Sequence, residues 1–122
     1  MTPHAEGLVD IGRLILTFAK VNRVTLHEDG KRFESDTDHT VMVSVCACAL
    51  ADRLYKDLDL GKVSQFATVH DLVEAYAYDT DSFGITDEQR AAKEKREHDA
   101  YIKIRKEFDS IFPWIGETIE SY

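Results

Sequence analysis

Apolar residues recur at three- and four-residue intervals along the 122-residue chain, and no segment shows the alternation of a half-buried strand. The pattern predicts a first helix from about Leu8 to Asn22, with Leu8, Ile11, Leu14, Ile15 and Phe18 on one stripe. "HEDGKRFESDTD" then reads as a loop. A second helix is expected from about Thr37 to Lys56, started by Asp36, Thr37 or Asp38 as its cap. "DLDLGK" breaks it, and a third helix is expected over Lys62 to Ala77. After "YDTDSFG", Thr86-x-x-Gln89 is a capping box that opens a fourth helix, about Asp87 to Phe108. That helix is a charged, solvated face with Lys93 and Glu97 at i,i+4, and with Ala92, Tyr101, Ile104 and Phe108 turned inward. Pro113 starts a short last helix, "PWIGETIESY". The predicted fold is all-α, a compact bundle of four to five helices. No linker, repeat or low-complexity tract divides it, so one domain is expected over residues 1–122.

Composition leaves this picture intact, with 43% hydrophobic and 31% charged residues in a chain long enough for one core. Charge narrows the partners. The formal net charge is −8 and no basic run exists, which excludes a nucleic acid polymer or an anionic membrane as the expected partner. A small phosphorylated substrate stays open, because a bound divalent metal can invert the local field. Cys46 and Cys48, two apart on a helix, fit neither a disulfide nor a metal clip and are expected as small core residues. With no signal peptide and no membrane-length apolar run, a cytoplasmic location is expected.

The chemistry concentrates in "QFATVHDLVEAYAYDT", where His70, Asp71, Glu74 and Asp79 share an otherwise apolar segment. Such groups are costly to bury unless they pair, hydrogen-bond or bind a metal. Helical spacing places His70, Asp71 and Glu74 along one broad face. Antiparallel packing of the second and third helices would bring His39 toward His70 and Asp71, giving a partial three-ligand site. Taken pairwise, a hydrogen-bonded core histidine beside a surface aspartate is the better explanation of the residues. His4, His27 and His98 have no matching partners and are expected at the surface. Mixed nitrogen and oxygen ligands suit Mn, Fe, Co, Ni, Zn or, less well, Mg.

The longer pattern, His39 followed by His70–Asp71, Glu74 and Asp79, resembles the HD-domain metal-dependent phosphohydrolases. It is most similar to their small 5'-deoxynucleotidase branch. "VNRVTL" supplies the Asn22–Arg23 pair that follows the first helix there, and Asp38-His39-Thr40 stands for the branch's E-H-S. "HDLVEAYAYD" stands for HDxxExxxGD, with Tyr78 where glycine is usual, and Lys93, Arg96 and Glu97 resemble its K…RE segment. The resemblance implies an HD-domain fold with one divalent metal ion held by His39, His70 and Asp71. Glu74 is implied to orient or deprotonate the attacking water, and Asp79 to assist the leaving sugar oxygen or hold the sugar. Arg23 is implied to bind phosphate, for which its planar fork is suited. The implied activity is a deoxyribonucleoside 5'-monophosphate phosphatase, or, as alternatives, a dNTP triphosphohydrolase or a truncated non-catalytic HD domain. A small nucleotide substrate and a homodimer are the implied partners.

One part of the pattern is missing. The family completes its metal site with an aspartate on a later helix, beyond the segment equivalent to "PWIGETIESY". None of Asp99, Asp109, Glu117 and Glu120 lies in such a context. Two expectations stay open: a chain shortened by its last helices, or a variant in which water or one of those carboxylates fills the position.

Overall fold

The computed structural model describes residues 2–26, 29–78 and 85–121. The Thr2 hydroxyl accepts from the Ala5 N–H at 3.1 Å and Pro3 fits the first turn, so helix α1 spans Pro3–Ala19 and starts earlier than its stripe predicts. Leu14 and Phe18 are buried, whereas Leu8 and Ile15 face solvent. The buried line runs through Gly7, where a Cβ would stand only 2.9 Å from Phe112 Cε2. That close approach rotates α1 and leaves the flank of the stripe outside.

The expected loop after α1 contains a strand. Strands β1 (Asn22–Leu26) and β2 (Phe33–Ser35) form an antiparallel pair, Asn22 opposite Ser35 and Leu26 opposite Phe33, with an irregularity between them. Neither is long enough for its pairing to appear as alternation. The hairpin runs directly into helix α2 (Asp36–Leu54) through a bond from the Asp36 N–H to the Val21 carbonyl, 2.9 Å. The cap of α2 is Ser35, one residue before the expected candidates; its hydroxyl accepts from the Asp38 N–H at 3.1 Å.

Helix α3 (Leu60–Val69) starts inside the expected breaker, because the Asp59 carboxylate accepts from the Gly61 and Lys62 N–H groups at 2.8 and 3.3 Å. The predicted third helix is divided. After Val69 the backbone tightens to i→i−3 bonds, Leu72 to Val69, Glu74 to Asp71 and Ala75 to Leu72, before a four-residue helix α4 (Glu74–Ala77) ends at Tyr78. Helix α5 (Asp87–Phe108) and helix α6 (Pro113–Glu120) fall where predicted, and both reciprocal bonds of the Thr86–Gln89 capping box form. Five of these helices have eight residues or more, and the fold is all-α apart from the hairpin.

Leu14, Phe18, Val69, Leu72, Ile104, Phe108 and Ile115 form the core, between α1, α3, α5 and α6. Ala92 is exposed and Ala100 is buried, since Ala92 lies three turns before Ile104, beyond the reach of the core. Cys46 is exposed and Cys48 half-buried, so neither is a core residue; α2 packs on α3, α1 and β2 by its other face. Val41, Met42, Val45 and Leu50 on the outer side of α2 are likewise exposed. Among the described residues no helix is long and apolar enough to cross a membrane.

Candidate metal centre

Three backbone elements aim side chains at one point. The first turn of α2 carries His39, the tightened turn after α3 carries His70 and Asp71, and the hairpin carries Arg23 and Glu34. In a continuous α-helix, consecutive residues point 100° apart. The i→i−3 bonding after Val69 widens that divergence to about 120°, so it is the two side chains that fold toward each other, and His70 Nε2 lies 2.9 Å from Asp71 Oδ2. His39 Nε2 approaches the same oxygen at 3.6 Å, with the two imidazole centroids 5.4 Å apart. One ligand atom from each of His39, His70 and Asp71 lies within 4.8 Å of the others, the one such group among the described residues.

The far side of each ring is also engaged. His70 Nδ1 donates to the Ala67 carbonyl at 2.6 Å, which leaves Nε2 for the centre. His39 Nδ1 faces Glu34 Oε1 at 2.9 Å. Arg23 reaches two carboxylates, Asp71 Oδ2 at 3.1 Å by Nη1 and Glu34 Oε1 at 3.6 Å by Nε. The Glu34 contacts are close approaches rather than aligned hydrogen bonds. Glu74, on the first turn of α4, is buried and bonds to Asp71.

These neighbours set the protonation states. The hydrogen bond to Asp71 raises the His70 pKa above its ordinary value, against burial, which lowers it. Burial pushes the Asp71 carboxyl up, but the bond and charge of His70, the bond with Glu74 and the charge of Arg23 together hold it below the usual range. Asp71 is therefore held as an anion, chiefly by His70 with Arg23 contributing, and each side chain of the His39–His70–Asp71 group is about a quarter exposed, open to a small ligand.

The donor set fits a divalent cation. Two imidazole Nε2 atoms and a carboxylate oxygen converge, both Nδ1 atoms face acceptors, and three carboxyl groups stand against one guanidinium. Asp99 and Asp109 are engaged elsewhere, with Lys95 at 2.7 Å and Arg105 at 2.6 Å, and Glu120 pairs with Arg105 at 3.1 Å. Glu120 does line a recess of about 440 Å³ that has His70, His98 and Tyr101 on its walls.

The sequence profile of the HD domain matches residues 18–120, most of the chain and all the residues just described. The chain belongs to the HD-domain family. Among solved structures, this HD domain is similar to a predicted metal-dependent phosphohydrolase from Magnetospirillum magnetotacticum MS-1, with a TM-score of 0.79 and 22% identity. The match covers 98% of this chain and 60% of the other, so the HD domain here spans about three fifths of that protein's length. No curated protein matches it by sequence. Of the residues singled out in the sequence, His39, His70, Asp71, Glu74 and Arg23 come together, while Asp79 and His27 lie outside the described residues. His98 is exposed, as expected. Glu34 escaped sequence reasoning because it stands in a stretch taken for loop, and its signal was its place just ahead of the helix that carries His39.

Proposed function

We propose that this HD domain is a cation-dependent phosphohydrolase of small nucleotides, acting on deoxyribonucleoside 5'-monophosphates and releasing inorganic phosphate. The convergence of His39, His70 and Asp71 beside the guanidinium of Arg23 carries the reading. The narrower choice of substrate draws on the Asn22–Arg23 pair and on the HDLVEAYAYD segment with its likeness to the nucleotidase branch. A recess of about 440 Å³ beside His70, walled by His98 and Tyr101, falls in the size range of small-molecule sites.

A divalent cation held by His39, His70 and Asp71 would supply Lewis-acid chemistry, neutralising phosphoryl oxygens and acidifying water. The remaining work falls to the chain. Arg23 offers a planar fork to the phosphate and disperses charge as the phosphorus becomes crowded. Glu74, buried beside Asp71, accepts the proton of the water whose oxygen bonds to phosphorus. As the bond from phosphorus to the sugar oxygen breaks, Asp79 donates a proton to that oxygen.

Phosphate release from a panel of dNMPs and dNTPs, with Mn, Co, Mg and Zn and an Asp71→Ala control, tests the reading. Metal-dependent phosphate release from dNMPs, abolished in the control, is expected. Triphosphate as the product would move the assignment to a dNTP triphosphohydrolase. A folded protein that binds cation but turns over neither substrate class would be a non-catalytic HD domain.

A further inference from the structure

Both imidazoles present Nε2 to Asp71, so each must carry its proton on Nδ1 if Nε2 is to offer a lone pair to a cation. For His70 the backbone enforces this, because the Ala67 carbonyl 2.6 Å from Nδ1 can only accept. His39 is held differently. Its Nδ1 faces a carboxylate oxygen of Glu34, carried by the strand β2 just ahead of α2. We infer that Glu34 is a positioning residue of the centre, fixing His39 as the Nδ1–H tautomer and aiming its Nε2 toward Asp71. The inference rests on reading His39, His70 and Asp71 as the cation site.

Three observations support it. At 2.9 Å, a bare Nδ1 nitrogen would be repelled by the carboxylate oxygen, so the proton is favoured on Nδ1 even in a contact that is a close approach rather than an aligned hydrogen bond. The Glu34 side chain is only 13% exposed, and a carboxylate so placed is stable only beside partners; the groups in reach are His39 Nδ1 and Arg23 Nε. Glu34 further ties Arg23, the proposed phosphate ligand, to the same edge of the centre. The hairpin thereby supports, from outside α2, a ligand that α2 alone presents on its first turn.

The test compares wild type with Glu34→Ala and Glu34→Gln. Long-range proton–nitrogen NMR on the metal-free protein, at a pH where the imidazoles are neutral, reads the His39 tautomer directly. Calorimetry with Co²⁺ alone, together with the visible absorption of the bound ion, reads affinity and ligand geometry. Wild type is expected to show Nδ1–H at His39, and E34A a mixture containing Nε2–H with Co²⁺ affinity lower by about 10- to 100-fold. E34Q, whose amide oxygen can accept the same proton, should keep the tautomer and recover part of the affinity. It also carries the test if E34A does not fold. Unchanged tautomer and affinity in E34A would overturn the inference. So would equal weakening in both variants with the Nδ1–H tautomer intact, because that would mark a merely structural role. A wild-type chain that takes up no Co²⁺ would remove the centre itself, a failure visible without any substitution.

Discussion

Asp71 Oδ2 is the most contested atom of the centre, touched by His70, by Arg23 and, at longer range, by His39. Arg23 would therefore compete with a bound cation for an oxygen it also helps to hold ionised. Arg23→Ala is expected to keep or raise Co²⁺ affinity in calorimetry while phosphate release falls by about 10- to 100-fold, the worth of one hydrogen bond to a charged group. A loss of cation affinity instead would make Arg23 part of the cation site. Tyr78 is a second residue under constraint, with φ at +62°, a region that side chains other than glycine rarely occupy. Tyr78→Gly should raise stability by about 1 kcal/mol in denaturant unfolding, the relief of strain being partly offset by a more flexible unfolded chain. At this scale the sequence was informative where spacing and residue type agree, as for His39, His70 and Asp71, and for Tyr78 standing in place of a glycine. It was silent on Glu34, since no spacing rule ties a strand carboxylate to a histidine on the next helix.

Helix ends were legible wherever a polar side chain makes a local bond. Thr86 and Gln89 bond each other's backbone as predicted, at 3.1 and 2.8 Å, and α5 begins there. Thr86→Ala should cost about 1 kcal/mol, measured as a lower thermal midpoint with helix content by circular dichroism little changed outside α5. Asp59 and Ser35 act likewise but lie in stretches that read as loop, which is why α3 and α2 start earlier than expected. The division of the third helix was invisible. Val69 through Ala77 keeps helical periodicity, and the switch from i−4 to i−3 bonding leaves no mark on the order of apolar residues. His70 and Asp71 lie at that switch, and their side chains meet at one centre.

Packing of the whole molecule turns on α5, whose Ile104 is fully buried between α1 and α6 partners. Ile104→Ala should destabilise the fold by about 2–5 kcal/mol in denaturant titration, the range for a buried aliphatic cavity. A loss below about 1 kcal/mol would mean that the core collapses around the gap. The charged pattern of α5 showed which face turns inward but not how far along the helix the core reaches, and Ala92 proved to lie beyond it. The exposed apolar side of α2 was equally hidden: Val41, Met42 and Val45 look like core residues in one dimension, and only the position of α3 and α1 decides which side they occupy.

The hairpin has a consequence in time. A pair of strands of five and three residues has little stability of its own and persists through its ties to α2 and the centre. Arg23 and Glu34 ride on it, so the centre loses both whenever the hairpin lifts, even while α5 stays folded. Amide hydrogens of β1 and β2 are therefore expected to exchange by a local opening of lower free energy than that releasing the amides around Ile104. Saturating Co²⁺ should slow exchange at β1 and β2 first, because an ion bound more tightly by the closed centre pulls the opening equilibrium back. Equal slowing throughout the chain would instead mean that hairpin and helices open as one unit.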